Sequence, residues 1–151
     1  MSVPFVRVDA FTDVSFRGNP AAVVLLETPR DATWRQDVAR EMNQPATAFV
    51  APTPEGFDLS WHSPTTELVL CGHGTLATAH VLWETGVLDP GDEARFTTKS
   101  GPLGARRDGE WIELDFPADP VRLAAPPPAL LEARSGGKRR AASVRVAEDA
   151  R

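Results

Sequence analysis

A mostly antiparallel α+β domain with one helix at its centre is the fold class that this sequence predicts. Three observations predict it: short β-like runs dominate the first 116 residues, two helical patterns interrupt them, and the second helical pattern is apolar on several sides. A chain of 151 residues with 42% apolar side chains is long enough to bury the core such a domain needs.

The elements follow in order. Residues 4–11, PFVRVDAF, alternate apolar and polar as a half-buried strand does, whereas 21–27, AAVVLLE, are continuously apolar, as in a strand covered on both faces. Residues 31–43, DATWRQDVAREMN, carry Asp31 or Thr33 as an N-cap and Trp34, Val38 and Met42 at four-residue steps, the pattern of an amphipathic helix. Further strands are expected at 47–52, 57–63, 94–100 and 110–116, with Asp108-Gly109 in the RDG segment supplying the positive φ that a tight hairpin needs. The second helix is expected from Thr75 to Thr85. Leu76, Ala79 and Trp83 share one of its faces, and Gly86 stands where a C-terminal cap belongs.

Composition excludes some roles. No run of about 18 apolar residues is present to span a membrane, and the start, MSVPFVRVDAF, lacks the segments of an export signal. With one cysteine and no possible internal disulfide, a cytoplasmic setting is the expectation. The net charge of −5 argues against nucleic acid as a partner. That charge is uneven: residues 132–151 carry six basic and three acidic side chains, net +3, which leaves −8 on the rest. This tail has no Leu, Ile, Met, Phe or Trp and is expected to be disordered and solvated rather than a nucleic-acid arm. The organisation read from the sequence is thus a domain at 1–123, a stiff proline-rich boundary at 124–131 and a basic tail at 132–151.

Residues 70–86, LCGHGTLATAHVLWETG, concentrate the chemistry. Gly72 and Gly74 let backbone approach a ligand, and the helix behind them aims unpaired N–H groups and a partial positive charge at the same spot. A carboxylate could dock there, with His73 beside it to donate a hydrogen bond or carry a proton. The competing reading is a tight strand-to-helix turn that needs glycines and nothing more. No metal is expected. His73 and His80 are seven residues apart, about 10 Å along a helix, and Cys71 has no second thiol. His62, beside Trp61, reads as a strand residue rather than a ligand.

Four segments, VDAFTDVSFRGNPAAVVLL, EMNQPATAFV, LSWHSPTTELVLCGHGTLATAHVL and TTKSGPLGARRDGEWIELDFPA, together resemble in order and spacing the N-terminal half of the PhzF-like (phenazine-biosynthesis-like) isomerases. The resemblance covers residues 3–120. It implies the diaminopimelate-epimerase-like fold, two similar α+β domains that each wrap a sheet around a central helix, of which this chain holds one. It also implies isomerisation or epimerisation of a small cyclic or amino-acid-like carboxylate, without metal or organic cofactor, in the cleft between the domains. By the same resemblance His73 matches the active-site histidine, Gly72 the backbone beside the substrate, and Asn19, in GNP, a motif near the cleft. Gly74 and Thr75 complete the expected substrate-binding set at the helix mouth.

The chain departs from that pattern in two places. The family's acid/base glutamate falls where this sequence has Ala46, and a methyl group carries no proton. Glu41, Glu67 and Cys71 are the candidates to replace it, and Cys71 is the strongest because a helix N-terminus favours a thiolate. Family chains are also about twice as long, and nothing after Pro128 resembles their second half, so a truncated or frameshifted product is expected. A lone half would leave an apolar face exposed, which predicts a homodimer or a missing second domain completing the cleft. Two functions remain open: a PhzF-like isomerase, or a non-catalytic remnant that binds a small carboxylate at Gly72–Thr75.

Overall fold

The computed structural model describes residues 2–118, 121–124 and 144–147. The chain divides into two compact units, Met1–Phe116 and Pro117–Arg151. The first holds β1 (Phe5–Ala10), β2 (Asn19–Leu25), α1 (Ala32–Met42), β3 (Ala46–Thr53), β4 (Gly56–His62), β5 (Glu67–Leu68), α2 (Gly72–Glu84), β6 (Ala94–Thr98), β7 (Gly101–Asp108) and β8 (Trp111–Asp115).

These strands form one sheet in the order β1-β2-β3-β4-β6-β7-β8, with β5 beside the far end of β4. It is mostly antiparallel, as expected, and is parallel only at β2–β3 and β4–β6, where α1 and α2 respectively lie in the connection. Parallel neighbours cannot be joined by a tight turn, so both helices occupy the crossovers that the sheet order requires.

Alternation along the strands divides the core in two. Ala21 and Val23 of β2, Ala46, Ala48 and Val50 of β3, and Phe57, Leu59 and Trp61 of β4 join the apolar cluster around α2. Their neighbours Val24, Leu26, Phe49 and Ala51 pack instead with Ala39, Trp34 and Val38 of α1. The unbroken apolar run in β2 therefore reflects burial on both faces. The second helix packs against β1, β2, β3, β7 and β8, and eight of its thirteen residues are buried, so it is the central helix. Its buried threonines leave no orphaned hydroxyls, because Thr75 and Thr78 donate to the carbonyls of Cys71 and Gly74 at 2.8 and 2.7 Å.

The start of α1 and the end of α2 match their sequence signals. Asp31 Oδ1 accepts from the Trp34 N–H at 2.9 Å, and Asn43 closes α1 in the left-handed region at φ 50°. Gly86, at φ 70°, follows the Thr85 cap of α2 and donates to the Trp83 carbonyl at 3.2 Å.

Several details differ from the expectations. The second helix begins at Gly72, three residues early, with Cys71 as its N-cap, so the glycine pair forms the first turn rather than a loop before it. Two strands of this unit were not expected. β5 is two residues long, and β7 contains Gly101, Pro102 and Gly104, which read as a turn although Leu103 and Ala105 alternate inward. The hairpin after it turns through Gly109, at φ 61°, and Glu110, since Asp108 pairs with Trp111. β6 stops at Thr98 because Lys99-Ser100 turns the chain into β7.

In the second unit, β9 (Val121–Ala124) and β10 (Val144–Ala147) pair antiparallel, with Val144 opposite Ala124. Four residues of the expected disordered tail are thus in a strand, and the expected domain end at residue 123 falls inside β9. Average tail composition concealed the local alternation of VRVA, which matches the pattern of VRLA. The expected boundary at 124–131 begins on the last residue of β9, and residues 125–131 and the rest of the tail lie outside the described residues.

Candidate active site

One end of the sheet gathers the candidate residues. Ala10 closes β1 opposite Asn19, the first residue of β2; Ala21 lies opposite Ala46, the first of β3; and Thr47 lies opposite His62, the last of β4. The short strand β5 turns the chain off β4 and delivers it through Val69 and Leu70 into Cys71 and the mouth of α2 at this same end.

As first-turn groups of α2, the N–H groups of Gly72 and His73 have no carbonyl partner within the helix, and the Gly74 N–H lies against the Cys71 sulfur. The next N–H, of Thr75, returns to the Cys71 carbonyl at 3.0 Å. Cys71 Sγ lies 3.4 Å from His73 Nδ1. Burial, which leaves Cys71 only 6% exposed, pushes its thiol pKa up, and the opposing pull of the Gly74 backbone N–H is the smaller effect. The expectation that the helix N-terminus would favour a thiolate here is therefore corrected: desolvation outweighs the pull of the Gly74 N–H. Burial likewise lowers the His73 pKa, with the Pro20 backbone acting the other way. His73 Nε2 is buried and makes no hydrogen bond.

The other expected site residues fall into two groups. Asn19 is exposed and Gly72 half-exposed, so both are accessible to a ligand at this end. Gly74 and Thr75 are buried. A Cβ on Gly74 would lie 2.7 Å from Trp61 Cδ1 and 3.1 Å from Cys71 Sγ, so this glycine makes room for an indole. Thr75 commits both its N–H and its hydroxyl to the Cys71 carbonyl, which braces the cysteine. Sequence reasoning missed Phe116. Its Cε2 would be 3.4 Å from a Cβ on Gly72, which places an aromatic ring beside the open backbone of the helix mouth.

Ala46 is fully buried on the α2 face of the sheet. Of the carboxylates considered in its stead, Glu41 is exposed on α1, which packs on the opposite face, and Glu67 is ion-paired with Lys99. His62 also points to the α1 side. Its Nδ1 is 3.1 Å from Gln36 Oε1, and its ring stands edge-on to Phe49 with centroids 5.5 Å apart. His80, half-buried, sits two turns along α2 from His73. Among the described residues no three His, Cys, Asp or Glu side chains gather closely enough to hold a metal ion, and no helix is long and apolar enough to cross a membrane.

A curled, mostly antiparallel sheet around a central helix, with a histidine at that helix's mouth, is the architecture of the epimerase-like α+β fold. The chain belongs to the phenazine biosynthesis-like family, whose sequence model matches residues 8–140 and so runs past the expected limit of the resemblance at residue 120. It is 53% identical over 119 residues to an uncharacterized isomerase of Halalkalibacterium halodurans, covering 79% of this chain and 45% of that protein. It is 47% identical over 129 residues to the mouse phenazine biosynthesis-like domain-containing protein 2, covering 80% of this chain and 44% of that one. The crystal structure of a PhzF-family protein from Enterococcus faecalis superposes with a TM-score of 0.79 at 38% identity, covering 88% of this chain and 51% of that one. The chain thus spans about half the length of the curated relatives it matches.

Proposed function

We propose that this chain supplies the N-terminal half of a PhzF-like isomerase site that moves a proton within a small carboxylate. The contact between Cys71 Sγ and His73 Nδ1, at 3.4 Å in the mouth of α2, carries this reading. In it the substrate carboxylate accepts from the N–H groups of Gly72 and His73. The half-exposed His73 imidazole takes a proton from one substrate carbon to become imidazolium, then gives that proton to a second carbon and is neutral again, with the Cys71 thiol protonated beside Nδ1 throughout. No metal or organic cofactor enters these steps. A second domain or a second chain closes the cleft over the substrate.

The test is incorporation of solvent deuterium into a panel of small cyclic and amino-acid-like carboxylates, followed by NMR. Exchange should disappear in His73→Gln and fall about 100-fold or more in Cys71→Ala. Full exchange in His73→Gln would overturn the assignment. A second reading, carboxylate binding without turnover, is favoured by Ala46, which leaves no carboxylate at that position. It is supported instead if the native chain binds these acids without exchanging them and Ala46→Glu restores exchange.

A further inference from the structure

The face of the sheet beneath α1 carries a polar patch that the proton chemistry does not use. Phe49 and Ala51 of β3 pack against α1, so Thr47, two residues earlier on that strand, points the same way. His62 lies directly opposite Thr47 and Ser60 directly opposite Phe49, which puts all of these side chains on one face. Arg35 Nη1 of α1 donates to Ser60 Oγ at 2.6 Å. Gln36 Nε2 donates to the Ser63 carbonyl at 3.0 Å, which turns its Oε1 toward His62 Nδ1, 3.1 Å away. Burial is the main cause that lowers the His62 pKa; Glu67 opposes it, and Arg35 and Lys99 are near enough to add to the lowering. The proton of the neutral ring therefore sits on Nδ1, and Nε2 presents a lone pair. Three buried atoms of the patch have no partner among the described residues: His62 Nε2, which accepts, Arg35 Nε, which only donates, and Thr47 Oγ1, which does either. Thr47 is 0% and His62 2% exposed, so bulk solvent does not serve them.

We propose that this patch is a binding site for one internal water molecule, which donates to His62 Nε2, accepts from Arg35 Nε and takes Thr47 Oγ1 as its third partner. The polarity of the three atoms selects this ligand. An anion would face the His62 lone pair, and a cation would face the Arg35 guanidinium. What fits is a neutral atom that donates and accepts at once, and the enclosure of all three atoms restricts it to the size of water. Three polar partners are the usual complement of a buried water. Held there, the water ties α1 to β3 and β4 immediately behind Ala46, on the side of the sheet away from α2.

The experiment is NMR of the full chain at pH 7.5. Water-selective NOE spectra should show a long-lived water beside the carbon-bound ring protons of His62 and the methyl of Thr47, and the ring nitrogen shifts should place the proton on Nδ1. Oxygen-17 relaxation dispersion, which hydroxyl protons do not affect, should count one long-lived water fewer in Thr47→Val, which keeps the shape of the side chain and loses its hydroxyl. Thr47→Ser, which keeps the hydroxyl, should retain that water. An equal count in the native chain and Thr47→Val, or a proton on Nε2 instead of Nδ1, would overturn the proposal. So would a shift of the His62 ring nitrogens when chloride is added at fixed pH and ionic strength, which would assign the patch to an anion. If the valine variant does not fold, the native chain still decides: absence of a long-lived water at both His62 and Thr47 overturns the site.

Discussion

Replacing His62 with phenylalanine should remove a proton-linked acid sensitivity from the fold. His62 is 2% exposed between the sheet and α1, hydrogen-bonded through Nδ1 to Gln36 and stacked edge-on against Phe49. Burial is the main cause that lowers its pKa; Glu67 pulls the other way, and Arg35 and Lys99 add to the lowering. The folded chain consequently holds the ring neutral, while the unfolded chain protonates near the ordinary histidine value of about 6.5. Stability linked to this group is complete above that pH and is lost as the pH falls from there toward the lower folded value. One proton taken up only on unfolding sets a slope of about 1.4 kcal/mol per pH unit across that window. His73, whose pKa is also lowered, titrates in both chains and cancels from the comparison. Near pH 7.5 the substitution should change stability by less than about 1 kcal/mol, because the lost bond to Gln36 is offset by removal of the unpartnered Nε2. Urea unfolding at pH 7.5 and 5.5 measures both quantities. An unchanged pH slope in His62→Phe would refute the placement of a neutral His62 in the core.

Two further outcomes are expected. Gly56→Ala should cost about 2–3 kcal/mol in urea unfolding, since a Cβ there would meet the Arg95 carbonyl oxygen at 2.4 Å and the backbone sits at φ 143°; a loss below about 0.5 kcal/mol would show that β4 and β6 can part without strain. Iodoacetamide should modify Cys71 at pH 8 about tenfold more slowly in the folded chain than in urea, because burial both shields the thiol and raises its pKa; equal rates, read by mass spectrometry, would place Cys71 on an open surface.

What could be read from the sequence follows from which signals are local. Asp31 and Gly86 mark helix ends through their own backbones, so the caps were legible, as was β2 from its unbroken apolar run. β7 was not. Its glycines and proline speak locally for a turn, while the pairing with β6 and β8 that makes it a strand comes from partners elsewhere in the chain. The turn from Cys71 into α2 was legible, but the roles of its residues were not separable. Gly74 and Thr75 look like ligand contacts until Trp61 and the Cys71 carbonyl are seen to occupy them. Phe116 carried no signal at all, because its nearness to Gly72 links residues on two different elements. The protonation of the thiol was not legible for a related reason: spacing shows a helix N-terminus, whereas desolvation depends on everything packed around it.

The central position of α2 also constrains how this unit comes to be folded. Its apolar sides are covered by β1 and β2, made before it, and by β7 and β8, made after it. During synthesis the helix therefore remains incompletely wrapped until residues near 116 have left the ribosome, although its own sequence has been available for some thirty residues. Until then apolar side chains such as Val81, Leu82 and Trp83, buried in the finished unit, are open to other nascent chains and to chaperones. Completion of the last hairpin is thus the event that converts a vulnerable intermediate into a protected one.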